Sequence, residues 1–415
     1  MSMPATVLST SPPTRVRFTG DNATFRRLVV RGAMLELVTF GFYRFWVTTD
    51  IRRNLWLHTE IGSDALEYTG RGKELLIGFL LALAILGPFF LVYFLIGLEF
   101  ERYKAFASVP LYIVLIAFGQ FAAYRARRYR LTRTVWRGVR FWMDGSGWSY
   151  AWRSILWGLL LGPTLGLAYP WRTAALERYK LEHTMYGNLR GRFEATGGQL
   201  FRQVWWVMVL GVLPFVLYFA AVITLIVIAA VAKSSGGKPP AVAAAAAGVV
   251  MLLASLMFVA LPFLHGIRRA REWAWWGSGI RFGELTVTCN VRAADLIAIY
   301  WTLIGWTALV IVVFGLLAGG VAGGLFAAAH VGGPAAALLQ GKLPWWGLAT
   351  YIVLYLLLII TMWVLMRIYT VQRVWRRVVD GCAVTNIAAT ADVAAIGDLP
   401  SAFGEGLADG LDFGL

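Results

Sequence analysis

Charge is scarce in this chain. Only 14% of its 415 residues are Asp, Glu, Lys or Arg, and 59% are hydrophobic. That balance excludes an ordinary soluble domain, in which about a quarter of residues are charged. Cysteine is rarer still. Cys289 and Cys382 are the two present, with no CxxC spacing, which excludes a disulfide-dense scaffold and a cysteine zinc site. Both fall in segments assigned below to the cytoplasm, where no disulfide is expected. Catalytic signatures are missing too. The chain has no Walker loop, no GxSxG, no HExxH and no dinucleotide fingerprint, so no catalytic residue, cofactor or metal is implied. Residues 1–14 lack a charged stretch followed by an apolar one. They therefore read as a disordered tail and not as a cleaved signal.

Long apolar runs fill the chain instead. Residues 75–98, 105–124, 203–232, 239–267, 296–341 and 343–366 carry no charge. About 20 apolar residues in a helix span the hydrocarbon core of a bilayer, and every run reaches that length. The expected class is a polytopic α-helical membrane protein.

The formal net charge of +16 is concentrated between these runs. On a soluble protein it would suggest nucleic acid. Here it sets orientation and meets anionic lipid headgroups, and no nucleic-acid partner is expected. Arg125, Arg127, Arg128, Arg130, Arg133, Arg137, Arg140 and Arg153 face one acid, Asp144, so this loop belongs in the cytoplasm. Arg268, Arg269, Arg271 and Arg281 mark a second inner loop, and Arg367, Arg373, Arg376 and Arg377 a third. Three hairpins follow, 75–124, 204–265 and 296–366, making six spanning helices with both termini cytoplasmic.

The chain also repeats itself. Shifted by 125 residues, 35–75 aligns with 160–200 without a gap. The identical pairs are Leu35/Leu160, Thr39/Thr164, Gly41/Gly166, Trp46/Trp171, Thr48/Thr173, Arg53/Arg178, His58/His183, Thr59/Thr184, Gly62/Gly187, Gly72/Gly197 and Leu75/Leu200. Internal repeats constrain the whole architecture. A second match, at offset 141, places Arg127, Arg128, Arg130, Gly138, Arg140 and Phe141 on Arg268, Arg269, Arg271, Gly279, Arg281 and Phe282. The implied plan is a tail at 1–14, repeat units at 15–146 and 147–291, a truncated third unit at 292–395 and an acidic tail at 396–415.

Two segments do not fit the six-span count. Residues 26–46 contain Arg27, Arg31, Glu36 and Arg44, and a charge at mid-membrane costs roughly 2.5–3.5 kcal/mol. Their duplicate, 155–171, is uncharged but short and broken by Gly162-Pro163. Both are expected to be interfacial or re-entrant helices that return to the cytoplasm. Eight simple spans in inverted repeats is the alternative. Short Arg-Phe and Glu-Tyr strands at Arg17-Phe18, Glu67-Tyr68, Arg140-Phe141, Arg192-Phe193 and Arg281-Phe282 need partners. They predict a small cytoplasmic sheet or barrel.

The most specific local signals are Thr39-Phe-Gly41-Phe-Tyr43-Arg-Phe-Trp46 and Thr164-Leu-Gly166-Leu-Ala-Tyr169-Pro170-Trp171. Turning a re-entrant segment is one role for them, and lining a substrate path is another. His58-Thr59 and His183-Thr184 share a repeat position. They are duplicated hydrogen-bonding residues or, alternatively, a proton-responsive or metal pair. Together with Phe18-Thr-Gly20, the Arg52-Arg53…Thr59…Gly62 run and the ending Phe403-Gly-Glu405-Gly-Leu-Ala-Asp409, these motifs make the chain resemble the YjgN-like, DUF898-type family of bacterial inner-membrane proteins. The resemblance covers nearly the whole chain. It implies location and fold, and brings no activity or catalytic residue.

Three functions remain compatible. The first is a membrane scaffold whose basic inner face meets anionic lipid and whose sheet meets a protein partner or a second copy of the chain. The second is a small-molecule transporter or channel. The third, a membrane enzyme, is weakened by the missing motifs.

Overall fold

A computed structural model describes residues 12–99, 104–234, 236, 241–329 and 345–394. In it the chain alternates strands with helical excursions. β1 (Thr14–Phe18) leads into α1 (Asn22–Val38) and α2 (Arg44–Leu57), which return to β2 (Thr59–Ile61), β3 (Asp64–Ala65) and β4 (Glu67–Tyr68). The second excursion is α3 (Gly72–Glu99) and α4 (Lys104–Thr132), returning to β5 (Thr134–Trp136) and β6 (Val139–Met143). The third is α5 (Gly147–Leu161) and α6 (Tyr169–Glu182), returning to β7 (Thr184–Tyr186) and β8 (Leu189–Phe193). The fourth is α7 (Gly197–Ser234), α8 (Ala241–Phe258) and α9 (Leu261–Gly279), returning to β9 (Ile280–Phe282) and β10 (Leu285–Cys289). The fifth begins with α10 (Ala293–Ala329) and α11 (Trp345–Met366). It continues through a π-helical turn, Arg367–Arg373, and α12 (Val374–Asp380) to β11 (Cys382–Thr385).

The small sheet expected from isolated strands is instead one sheet of eleven, in the order β3-β2-β1-β11-β10-β9-β8-β7-β6-β5-β4. Every pairing is antiparallel. Its two end strands are consecutive pieces of 64–68: β3 pairs β2, and β4 pairs β5. One short stretch of chain therefore joins the ends, and the sheet closes on itself. Closure removes the unpaired edges that strands of two to five residues could not otherwise protect. Single strands read in sequence do not give their partners, which lie across whole helical excursions.

The same chemistry builds each excursion. The residue after the outgoing strand donates its N–H to the carbonyl just before the returning strand. The bonds are Thr19 to His58 (2.9 Å), Thr69 to Arg133 (2.8 Å), Asp144 to His183 (3.0 Å), Glu194 to Gly279 (3.0 Å) and Asn290 to Gly381 (2.7 Å). Both feet of every helical excursion are thus fastened to the same rim of the sheet. The tight turns between strands, and the described chain ends, lie on the other rim. An excursion fastened this way leaves and returns on one side of the sheet.

This pattern also corrects the repeat at offset 141. Gly138 sits in a hairpin turn at φ +74°, whereas Gly279 ends a helix. Arg140-Phe141 lies on a strand leaving the turn, and Arg281-Phe282 on a strand entering one. The recurrent hydrogen bond matches Arg133 with Gly279 and Asp144 with Asn290 instead.

Among the described residues five helices are long and apolar enough to cross a membrane: Gly72–Ile96, Gly197–Ser234, Ala241–Phe258, Ala293–Gly324 and Ala349–Asp380. The predicted sixth, 105–124, falls within α4, and its first part, 105–110, lies outside the residues whose side chains are described. The short hairpins are different objects. At 1.5 Å per residue, α1 and α2 are about 25 and 21 Å long, less than the roughly 30 Å of hydrocarbon.

Side chains alternate across the closed sheet. One face holds Val16, Phe18, Tyr68, Trp136, Met143, Tyr186, Phe193, Leu285 and Val384, all buried. It packs against the feet of the helices, with Phe25, Val29, Ile51, Leu55 and Val379 in one cluster and Leu200, Val204 and Trp275 in another. Phe141 and Phe282 touch although two strands separate theirs (centroids 6.4 Å), so this face is concave. The opposite face carries arginines.

The two cysteines are not free. The register of β10 and β11 sets Cys289 opposite Cys382, and they form a disulfide with Cα atoms 4.0 Å apart. Their separation of 93 positions in sequence conceals a neighbour relation that the fifth excursion creates by returning beside its own start.

Candidate functional site

The repeated motif residues divide into two structural roles. Thr39 and Thr164 sit at the tips of the short hairpins. The Thr39 hydroxyl donates to the Leu35 carbonyl (2.7 Å) and accepts from the Tyr43 N–H (2.9 Å). Thr164 does the same with Leu160 (2.6 Å) and Ala168 (3.2 Å). The next two residues are left-handed in both: Phe40 and Gly41 at φ 52° and 88°, Leu165 and Gly166 at 49° and 83°. Gly41 N–H then reaches the Glu36 carbonyl, and Gly166 N–H the Leu161 carbonyl, each at 2.7 Å. Thr-x-Gly is therefore a reversal that turns one helix into the next. A Cβ at Gly41 or Gly166 meets nothing within 4 Å, so only the backbone opposes substitution. Gly41→Ala and Gly166→Ala should each cost about 1 kcal/mol, measured by unfolding in detergent, with no change in span topology.

Trp46 and Trp171 mark where a short hairpin abuts the next long one. A Cβ on Gly72 would lie 2.9 Å from the Trp46 Cα, and one on Gly197 2.7 Å from the Trp171 Cα. Two of the identical pairs, Trp46/Trp171 and Gly72/Gly197, are thus two copies of one close contact.

His58, Thr59, His183 and Thr184 occupy the junction between helix and strand. His58 Nδ1 lies 2.7 Å from the Asn54 carbonyl and His183 Nδ1 2.7 Å from the Tyr179 carbonyl. Thr59 and Thr184 hydroxyls donate four residues back, to Leu55 (2.7 Å) and Lys180 (2.8 Å). These contacts satisfy carbonyls that a helix end leaves open. The structure does not bring the two histidines together, since several strands part β2 from β7. Among the described residues no group of three His, Cys, Asp or Glu is placed to hold a metal.

Sequence inspection missed the main electrostatic centre. Glu177, on α6, has only 14% of its side chain exposed and gathers groups from three helices. Arg127 of α4 approaches at 3.2 Å, Trp276 Nε1 of α9 donates at 3.1 Å, and Lys180 of α6 donates one turn away. Burial raises the carboxyl, but Lys180 and Arg127 outweigh it and bring the pKa down to about 2, so the group stays ionised. At the same repeat position the first copy has Arg52, which is 0% exposed and donates to the Tyr68 hydroxyl (3.3 Å). Duplicate positions thus hold buried charges of opposite sign. Glu272, 7% exposed, binds Arg268 and Arg269 on α9, and Arg268 also reaches Tyr169. The signal that could have revealed Glu272 was its spacing, three and four residues after two arginines. For Glu177 the local signal was Lys180 three residues on, while Arg127 and Trp276 are remote in sequence.

The outer face of the closed sheet is the broadest charged feature. Arg15, Arg17, Arg190 and Arg192 are exposed there, with Arg140 and Arg281 half-buried. In the register they alternate with the buried set, and Arg192 stands directly opposite Arg281. Glu60 and Glu67 share this face, and Glu194 pairs with Arg281 (3.2 Å). Two clefts of about 440 and 530 Å³ open elsewhere. The first lies beside Arg15, Arg292, Arg377 and Cys382, the second between α1 and α2. Neither contains His58 or His183.

The family described as "Bacterial protein of unknown function (DUF898)" matches residues 13–322, as the sequence resemblance implied. No curated protein and no solved structure matches the chain.

Proposed function

The chain belongs to the DUF898 family of bacterial proteins of unknown function, and from that premise we propose that it is an inner-membrane scaffold that gathers anionic lipid. Its helical hairpins anchor the closed sheet beneath the bilayer, and the sheet's arginine face is the binding platform. The carrying observation is that face: six arginines on one side of an edge-free sheet, against four acids, Glu60, Glu67, Glu194 and the Asp144 that pairs with Arg190. Polybasic surfaces close to a membrane attract anionic headgroups by about 1 kcal/mol per arginine. We also read 15–146 and 147–291 as duplicates of one unit, a short hairpin followed by a long one, and 292–395 as a unit keeping only the long hairpin.

The test is lipid composition around the purified protein. Lipid copurified from cell membranes should be enriched in anionic species over the bulk membrane. R15Q/R17Q/R190Q/R192Q should reduce that enrichment at least severalfold while leaving the protein folded. Equal enrichment for both proteins would overturn the proposal.

Sidedness needs its own test, because two features pull apart. The arginine-rich loops favour a cytoplasmic sheet, whereas the Cys289–Cys382 bond is of a kind that persists in oxidising compartments. Ser63, in the β2–β3 turn, and Ser146, at the α5 N-terminus, report on opposite rims of the same sheet. In a background of C289S/C382S, cysteines at 63 and 146 should resist impermeant reagent added outside intact cells. Labelling of both would place the sheet in the periplasm. Sites 235 and 332, expected outside from sequence, lie beyond the described residues.

A further inference from the structure

The short hairpins, alike at offset 125, differ in where their charges sit, and the first of them holds a cleft. Between α1 and α2 lies a cleft of about 530 Å³ lined by Arg27, Arg31 and Arg53, with Asp50, over a wall that includes Leu28, Leu35 and Val47. At offset 125 the second hairpin has Trp152, Leu156 and Trp157 in place of Arg27, Arg31 and Gly32, and Ala175 in place of Asp50. Copy two also has Arg153 and Arg172 at the positions of Leu28 and Val47, so the two hairpins place their cations differently. Copy one keeps Leu28 and Val47 as an apolar wall beside its arginines, and Val47 packs on Gly32.

Charge and depth are arranged in order. α1 begins at the sheet with Asn22 and runs to an apolar tip, where Val38 and Phe40 are 73% and 94% exposed. Arg27 and Arg31 follow Asn22 by five and nine residues, about 8 and 14 Å up the helix. Arg53 is four residues from the foot of α2, about 6 Å up. The lower half of the cleft is thus basic, and Leu35, Tyr43 and Val47 make the upper half apolar. Arg27 and Arg31 are exposed on one face of α1, one turn apart. The acid facing Arg31 is Asp50, which also lies 3.9 Å from Arg53. Arg53 donates to the Gly70 carbonyl (2.7 Å) as well, which fixes its guanidinium at the mouth. Three cations against one carboxylate leave the cleft with a net charge of about +2.

We propose that this cleft holds one anionic phospholipid, its phosphate on Arg27, Arg31 and Arg53 and an acyl chain along Leu28, Leu35 and Val47 toward the hairpin tip. The proposal rests on the hairpin dipping into the bilayer, as in the proposed function, but uses different residues from the sheet platform. Placing arginines on a hairpin that enters lipid is unfavourable unless an anion meets them. Guanidinium groups suit a phosphate because their paired N–H donors match its oxygens. The gradient from cationic foot to apolar tip matches an amphiphile and not a free anion.

Native mass spectrometry of the full chain in detergent tests this with phosphatidylglycerol and phosphatidylcholine as probes. The wild type should retain one phosphatidylglycerol under conditions that strip phosphatidylcholine. R27Q/R31Q should weaken that retention at least tenfold, while R15Q/R17Q/R190Q/R192Q should keep it. Equal retention by R27Q/R31Q and wild type would overturn the cleft, even if the sheet variant loses bulk enrichment. Loss of the single lipid in the sheet variant alone would place the site on the platform instead. Displacement of the lipid by millimolar inorganic phosphate would show a free-anion site and overturn the lipid assignment. Unfolding curves of R27Q/R31Q that overlay those of wild type would show that the effect is local.

Discussion

Glu177→Ala should lower the unfolding free energy by about 3 kcal/mol, because it leaves Arg127 and Lys180 largely buried without their counter-charge. Removing one partner of a buried ion pair costs more than the pair contributes, since the remaining charges lose their compensation. Glu177→Gln should fall between the two, keeping the acceptor for Trp276 Nε1 but not the charge. Guanidinium or thermal unfolding in detergent measures all three proteins. A change under about 0.5 kcal/mol for the alanine variant would show that the cluster contributes nothing to stability.

The same carboxylate makes an acid prediction with a definite sign. Its pKa is lowered from the ordinary 4.5 to about 2 in the folded chain. A depressed carboxylate stabilises the fold fully above its ordinary pKa, and that stabilisation is lost as pH falls through the folded value. Wild type should therefore lose on the order of 3 kcal/mol between about pH 4.5 and pH 2 through this residue alone. Glu177→Gln should lack that component of the acid transition. Identical acid profiles for the two would contradict the burial and pairing of Glu177.

The second large effect is steric. Gly197→Val would place its Cβ 2.7 Å from the Trp171 Cα and 3.0 Å from the indole. The obstacle is backbone, which cannot swing aside, so the joint between α6 and α7 must open. An overpacked contact of this kind costs about 1–3 kcal/mol, and this one belongs at the upper end. Gly72→Val should behave alike against Trp46, with a first contact at 2.9 Å. Gly198→Ala is the control, because a Cβ there meets nothing within 4 Å. Being helical, that position should gain slightly from alanine. Comparable melting temperatures for Gly197→Val and Gly198→Ala would mean that the two hairpins do not abut as described.

Several of the repeated residues were legible as important and illegible as to role. Thr39, Gly41 and Trp46 stood out because they recur at offset 125, yet nothing in sequence says that two of them form a turn while the third fills the space over Gly72. The histidines are similar. Their repetition suggested a pair, but repetition places residues in equivalent surroundings and not beside one another. Strand segments such as Arg17-Phe18 and Arg192-Phe193 were visible by alternation, while their closure through 64–68 was not. The offset 141 match shows the opposite error: identical residues aligned across a hairpin turn and a helix end that play different parts.

Sequence alone determined what depends on neighbours along the chain. Apolar runs of 20 residues or more, basic connections, helix-breaking Gly162-Pro163 and the copied Thr-x-Gly turns all act within a few residues, where periodicity and local hydrogen bonding decide the outcome. Tertiary structure alone decided what depends on chain segments meeting after long detours. It closed eleven strands into one sheet, set Cys289 opposite Cys382 across 93 residues, and collected Arg127, Glu177 and Trp276 from three helices. The physical reason is the fastening of both feet of every helical excursion to one rim. It makes strands far apart in sequence into neighbours, and pairing energy can act only on neighbours.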